Sequence, residues 1–440
     1  MQRSFKVAFI LLLALPTGVL GQNYINNPYT RFAIGDIINS GFSYNRSLGG
    51  SSIGLRPVNQ LNYLNPASYT SQDTMSFLFL AGLSGRSSFM STEEENTNIN
   101  NINLDYFAMG FPITRWWKFS FGLVPFSRTQ YHFRQYYEDY EDLAVEYRGE
   151  GGFNEFYFGT AFELFSILSV GTNAGYVFGD IKRESSVDVP EQIVASTKVT
   201  EDYIANDFYF RLGLQLHPEF TDRNDRKHQI VVGAIYDLQT DLNISYNSMT
   251  NRKFPSTVSD LNARIDTFSI IDDSTTYLSL PAKIGFGLTY RFDDRLSLTG
   301  EYSMQNFSKG IGMGVDPKNL TDYSSLRFGV EYVPIPMSNR RRASYHERMH
   351  YRLGGHYTSS YIAISNDMVE NHQILDYGIS IGVGLPWKNP QKLYTYTSFN
   401  LNYEFGIRGT RDNGLIKESY HILTVGITLH DFWFMKPKYD

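Results

Sequence analysis

A chain of 440 residues with 32 tyrosines, 32 phenylalanines, no cysteine and a formal charge of −6 excludes a disulfide-stapled fold and an N-terminal lipidated cysteine. Its mildly acidic balance argues against a nucleic-acid partner, which would call for a basic face. Past the N-terminus no apolar run approaches the roughly 20 residues a spanning helix needs, but a transmembrane β-barrel escapes that test because half of its strand residues face the lumen.

At the start of the chain, Arg3 and Lys6 precede an apolar run from Val7 to Leu15, Pro16 breaks it, and Val19 and Gly21 take the −3 and −1 positions. That is the pattern of a secretory signal peptide over 1–21, cut before Gln22. Residues 22–74 are rich in Asn, Gly, Ser and Pro and show no long alternation. Yet Tyr29, Phe32, Ile34, Phe42, Tyr44, Leu61, Tyr63 and Leu64 make the stretch too apolar for a disordered tail. An ordered irregular segment or plug is expected there, with a barrel over 75–440.

Alternation of apolar and polar residues begins near Met75 and predicts about fourteen strands. They fall near 75–89, 103–113, 117–135, 147–163, 167–182, 199–216, 228–246, 278–292, 295–308, 323–333, 350–364, 373–386, 393–408 and 418–434. The twelfth is the clearest: Leu375, Tyr377, Ile379, Ile381, Val383 and Leu385 share one face, while Asp376, Gly378, Ser380, Gly382 and Gly384 share the other. In the last, Leu423, Val425, Ile427 and Leu429 alternate with Thr424, Gly426, Thr428 and His430 before Phe432, Trp433 and Phe434. An aromatic finish of this kind is typical of a barrel's closing strand. The fold class is therefore all-β, a transmembrane antiparallel β-barrel; a secreted β-sandwich would use strands of about 5–6 residues.

Connections after odd strands read as long or acidic, as at Glu93, Glu94 and Glu95, at Glu138, Asp139, Glu141 and Asp142, and from Asn247 to Tyr277. Those after even strands are mostly short and basic. Outer-membrane barrels place long loops outside and short turns in the periplasm, so both termini are expected on the periplasmic side of the outer membrane of a Gram-negative bacterium, among lipid and lipopolysaccharide. Trp116, Trp117, Trp387 and Trp433 all fall at expected periplasmic strand ends, where amphipathic rings suit the membrane interface. Luminal glycines such as Gly171, Gly175, Gly285, Gly287, Gly382 and Gly384 either leave room for a plug or ligand or permit curvature.

The connection Pro334 to Met349 breaks the pattern, being long and basic on the side of short turns. Its Arg340, Arg341, Arg342 and Arg348 suit either lipid headgroups or the docking of an envelope protein. Within it His346-Glu347-Arg348-Met349-His350 matches H-E-x-x-H, with His356 beyond. A zinc protease needs that run on a helix, one turn separating its two histidines. Gly354, Gly355 and the alternation of Tyr351, Leu353, Tyr357 and Tyr361 predict a strand instead, so no metal site is assigned. With no G-x-S-x-G, phosphate-loop or calcium-loop motif either, no catalytic residue and no cofactor is expected.

Gly49 and Gly50, then Asn65-Pro66-Ala67, resemble the hatch region of the long-chain fatty-acid transporter (FadL) family. Pro125-Phe126 after Gly122 is similar to that family's early-strand Pro-Phe pair. Leu280 to Tyr290, Leu296 to Tyr302, and Leu326 to Tyr332 look like its central and late strands. The resemblance implies a fourteen-stranded barrel with an N-terminal hatch at Asn65, Pro66, Ala67, Gly49 and Gly50. It also implies passive uptake of hydrophobic small molecules, leaving sideways at a kinked third strand near Gly122, Pro125 and Phe126. The ending from Trp433 to Asp440 resembles that of a subgroup found in bacteria with type IX secretion, some of whose members are subunits of secretion or assembly machines. That supplies the alternative expectation, a non-transporting barrel subunit of an envelope complex.

Overall fold

The computed structural model describes residues 27–432 except 75, 94, 137–143, 189–195, 254–264, 309–311, 313–318, 336–342, 365–370 and 389–395. The signal peptide, the acidic run Glu138 to Asp142, Arg340, Arg341, Arg342, Trp433 and Phe434 lie outside the described residues.

Fourteen strands form one closed antiparallel sheet. They are β1 (Ser76–Ser91), β2 (Asn96–Pro112), β3 (Trp117–Pro125, then Tyr131–Tyr136), β4 (Ala144–Leu164), β5 (Leu168–Asp188), β6 (Ser196–Leu216), β7 (Lys227–Asp237, then Thr240–Lys253) and β8 (Ile265–Leu280, then Lys283–Phe292). The rest are β9 (Leu296–Gln305), β10 (Tyr323–Tyr332), β11 (His350–Ile364), β12 (His372–Lys388), β13 (Tyr396–Arg408) and β14 (Lys417–Phe432). The sheet closes where β14 pairs with β1, from Ser76 opposite Phe432 to Ser91 opposite Lys417. Closure leaves no free edge at this seam, and satisfying strand edges in this way is what allows a sheet to cross a bilayer.

The period of two decides which residues meet lipid. On β12, Tyr377, Ile379 and Ile381 are 46%, 56% and 54% exposed on the outside, whereas Ser380 between them is 1% exposed on the inside. No described helix is long and apolar enough to cross a membrane. An even-stranded closed barrel with an outward apolar band is the outer-membrane architecture.

Strands β4, β5 and β6 have 21 residues each. At about 3.4 Å per residue and a tilt near 45° they rise roughly 50 Å, well past a hydrocarbon core of about 30 Å. Their far ends stand in water on both faces, so alternation fades there while the hydrogen-bonded ladder continues. This explains two differences from the sequence reading. The second strand begins at Asn96 rather than 103, and the expected loop from Asn247 to Tyr277 is mostly a paired hairpin whose ladder reaches Lys253 opposite Ile265. Register shifts at Tyr246/Ser248 and Thr250/Asn251 bend that hairpin. The ninth strand ends at Gln305, not 308, because Phe307 turns inward and is 1% exposed.

Residues 27–74 occupy the lumen. Their short elements are a 3-10 turn (Pro28–Arg31), a two-residue strand (Asp36–Ile37), a helical turn (Ser43–Arg46) and a 3-10 helix (Pro66–Ser71). Pro66 suits the first helical position, where a missing N–H costs nothing, and the Asn65 side chain caps it by accepting from Ala67 N at 3.2 Å.

Candidate functional site

The lumen divides into two tiers. Toward the end bearing the long connections, inward residues of β4 to β8 such as Phe153, Val177, Tyr209, Leu242 and Leu278 form one apolar cluster with Ala33 and Ile34 of the luminal segment. Phe307 and Leu320 enter it from the β9–β10 connection, and Phe32, Ile37 and Phe126 pack against it. Dispersion and burial hold the side chains at this level, and polar ties hold its backbone, Arg183 donating to the carbonyl of Ala33 and Tyr361 to that of Gly35.

Below, the segment is tied to the wall by polar groups. Glu301 of β9 accepts from the backbone N–H of Ser52 at 2.6 Å and of Ile53 at 2.7 Å, and Arg327 of β10 stands 3.5 Å from its other oxygen. Arg46 pairs with Asp105 of β2 at 2.7 Å. Gln215 donates to the carbonyls of Ile53 and Leu55 at 2.9 and 3.1 Å. Lys118 donates to the carbonyl of Gln72 at 2.8 Å. Aromatic contacts fill the spaces between, with Tyr63 stacked on Tyr157 at 5.3 Å.

The wall is interrupted beside the apolar tier. The β2–β3 ladder runs from Pro112 opposite Lys118 to Phe107 opposite Leu123 and ends there. Above it, among the described residues, Tyr131–Tyr136 is in register only with β4, and Asn96 to Leu104 only with β1. Pro125 closes the first half of β3 opposite Asn154; its nitrogen carries no hydrogen for a ladder. The chain then turns inward, where Ser127 and Arg128 pair with Ile37 and Asp36 of the luminal segment. Phe126 N–H donates to Phe153 O at 2.9 Å, and Phe126 O accepts from Ile38 N at 3.0 Å. Gly152 makes the turn possible: its φ is 147°, and a Cβ there would lie 3.0 Å from Arg128 Cα. Asp36 is also held by a bidentate pair with Arg408, 2.7 Å on each side, a geometry suited to strong charge-assisted hydrogen bonds.

The residues singled out from the sequence fall into separate places. Asn65, Pro66 and Ala67 rest against β5 and β6, where a Cβ at Gly171 would meet Pro66 C at 2.6 Å and one at Gly213 would meet Pro66 Cδ at 2.8 Å. Asn65 also donates to Ile53 O at 2.7 Å. Gly49 and Gly50 lie at the opposite wall, both with positive φ, Gly49 donating to Ser380 Oγ at 3.0 Å. Of the third-strand residues, Phe126 meets the luminal segment at Ile38, Pro125 pairs with Asn154, and a Cβ at Gly122 would meet Tyr157 at 2.8 Å.

Of the basic connection, Arg348 is described. It ends a three-residue 3-10 turn, His346–Arg348, and its guanidinium lies 5.7 Å from the Tyr345 ring. His350 already belongs to β11 and contacts Glu331 at 2.9 Å, while His356 contacts Tyr420 at 3.2 Å. The three histidines do not converge.

A cleft of about 460 Å³ opens at the periplasmic end, lined by Arg56, Thr70, Glu163, His217, Lys227 and Arg291 among others. Burial, with Arg56 adding to it, pushes the His217 imidazole down to about 4. Burial also lowers Arg56 to about 10, offset in part by the Glu163 charge; its guanidinium donates to Thr70 Oγ1 at 2.9 Å and Ser169 Oγ at 3.0 Å. In the neighbouring turn the backbone N–H groups of Arg226 and Asn224 hold the Asp222 carboxyl down at about 2.

The charged luminal residues Asp105, Glu301, Arg327 and Arg408 escaped the sequence reading. Their signal was present: each lies within an alternating strand on its polar face, where ionised groups are expensive unless paired.

A family model described as BamG matches residues 1–440. No curated protein matches the chain. Among solved structures, the CymD monoaromatic hydrocarbon channel is 14% identical with a TM-score of 0.56, covering 91% of this chain and 100% of its own. The Pseudomonas putida toluene transporter TodX is 12% identical with a TM-score of 0.56 over 91% and 100%. A Pseudomonas aeruginosa FadL homologue is 12% identical with a TM-score of 0.54 over 91% and 99%. At such identities the likeness establishes the fold.

Proposed function

The chain belongs to the BamG family; from the two-tier lumen we propose an outer-membrane channel for passive uptake of hydrophobic small molecules. One observation carries the reading: the apolar tier abuts Phe126, beside the interruption between β2 and β3. A molecule entering the apolar tier from outside has polar, ion-paired packing below it and an unpaired wall beside it, so its lowest-cost route is sideways. Residues 28–41 act as the movable part of the hatch. Gly49, Gly50, Asn65, Pro66 and Ala67 anchor the rest, and Gly122, Pro125 and Phe126 frame the lateral exit. Carriage of a monoaromatic hydrocarbon or toluene by the CymD and TodX barrels supports this class of cargo.

The test uses the absence of cysteine in the native chain. Ile37 and Ser127 are register partners, within the roughly 4.4–6.8 Å Cα separation a disulfide spans. Proteoliposomes of Ile37→Cys/Ser127→Cys should lose toluene uptake when oxidised and regain it with reductant. Uptake unaffected by the lock rules out the exit.

The second reading is a non-transporting barrel subunit of an outer-membrane secretion or assembly complex, of the kind the type IX resemblance suggests. The enlarged connection bearing Arg340, Arg341, Arg342 and Arg348 favours it, as a docking site for an envelope protein. Gentle purification yielding stoichiometric protein partners, no lipophilic ligand and no uptake would establish it over transport.

A further inference from the structure

At the floor of the apolar tier lies a group of ionisable side chains that neither holds the luminal segment nor meets water. Arg211 of β6 donates from Nε and Nη2 to the two oxygens of Asp237 at 2.7 and 2.9 Å, and Lys283 of β8 is in register with Asp237. Glu155 of β4 is directly opposite Val124, one residue before Pro125. Glu155, Arg211, Asp237 and Lys283 are 3%, 5%, 8% and 5% exposed. Two cations and two anions leave the group with no formal charge.

Among the described residues, two of its polar atoms have no hydrogen-bond partner: Oε1 of Glu155, an acceptor, and Nη1 of Arg211, a donor. Tyr209 lies near both. The Arg211 guanidinium lies 5.8 Å from its ring, and a Cβ at Gly175 would meet both Tyr209 at 2.5 Å and Glu155 Oε1 at 2.7 Å. The Tyr209 ring also makes an edge contact with Phe126 at 5.6 Å. One orphan acceptor and one orphan donor therefore flank the same aromatic ring, at the junction of the apolar tier and the interrupted wall. A buried donor or acceptor without a partner forfeits its solvation, so a group that satisfies both at once is favoured there.

We propose that Glu155 and Arg211 form a seat for the neutral polar end of the cargo, a hydroxyl carried on an apolar body, as in an alkylphenol or a long-chain alcohol. The hydroxyl donates its hydrogen to Glu155 Oε1 and accepts from Arg211 Nη1, while the apolar body occupies the space vacated by Phe32 to Ile37. A carboxylate suits the seat poorly, since it has no hydrogen for Glu155 and would add a negative charge to a balanced group. A plain hydrocarbon leaves both orphans unmade. This assignment rests on the channel reading and deepens it.

The test is equilibrium binding of 4-butylphenol, butylbenzene and 4-butylbenzoate to the purified full chain in detergent, corrected for partition into protein-free micelles. Binding of the phenol at least about tenfold tighter than either analogue is expected, because a site built to bond a hydroxyl rejects the compound lacking it. Glu155→Leu should abolish the preference, binding phenol and butylbenzene alike, in protein whose heat-modifiable electrophoretic mobility shows a folded barrel. Equal binding of phenol and hydrocarbon by the native chain overturns the seat and leaves the channel standing. A preference that survives in folded Glu155→Leu protein also overturns it, as does tighter binding of the benzoate. No binding of any of the three overturns the seat and the channel together.

Discussion

The two tiers of the lumen hold the same N-terminal segment by different mixtures of contact. Around Ala33 and Ile34 the side chains pack against apolar residues while the carbonyls of Ala33 and Gly35 accept from Arg183 and Tyr361, and loss of one apolar side chain weakens the contact in proportion to the area removed. Around Ser52 and Ile53 it is a set of buried hydrogen bonds and ion pairs, where loss of one partner strands the others without solvent. The first kind of contact yields gradually and the second fails abruptly.

The largest expected effect comes from the polar tier. Glu301→Ala leaves two backbone donors without their acceptor and the Arg327 charge without its carboxylate, among the described residues only the Asn39 and Gly50 carbonyls remaining to it, a loss of about 3–5 kcal/mol. Limited proteolysis should then cut near Ser52 and Ile53 while the barrel keeps its heat-modifiable mobility; a segment as protected as the native one would mean that the network is not what holds it. In the apolar tier Ile34→Ala should cost about 2–4 kcal/mol and raise toluene uptake in proteoliposomes, with the region around Ser52 still protected. If Ile34→Ala instead exposes Ser52 to protease, the tiers are one cooperative unit. Gly354→Ala probes how tightly the segment meets the wall, since its Cβ would strike Gly49 N and Leu48 Cα; about 1–3 kcal/mol should be lost, read as a lower urea midpoint.

The smallest effect is on pH dependence. His217 titrates at about 4 in the folded chain, below its ordinary 6.5. Between those values the unfolded chain takes up a proton that the folded chain does not, so stability falls as pH is lowered from 6.5 to 4 and is flat in this contribution below 4. Urea midpoints across pH 4–7 should show a shallower fall in His217→Gln than in the native chain.

How far the sequence could be read differs between these regions as well. Every strand was legible wherever one face meets lipid, as in β12, because water and hydrocarbon impose opposite demands on alternate residues. The extension Thr240–Lys253 was not legible, since beyond the membrane both of its faces are wet. Pro125 marked the interruption because the missing N–H is a property of the residue itself. Glu155, only thirty residues on, carried no such mark; its meaning depends on Arg211 and Asp237, which alternation places on the same inner face but at no stated height.

From its residues alone, this chain determined the strand count, the lipid-facing side of each strand and the place where β3 breaks, because each depends on neighbours one or two positions away. Tertiary structure alone decided that Asp36 and Ile37 fill the space where β3 turns inward, that Glu301 caps Ser52 and Ile53, and that the apolar tier stops at Phe126. Those contacts join residues far apart in the chain, and their partners are chosen by closure and stagger of the barrel, which no local pattern records.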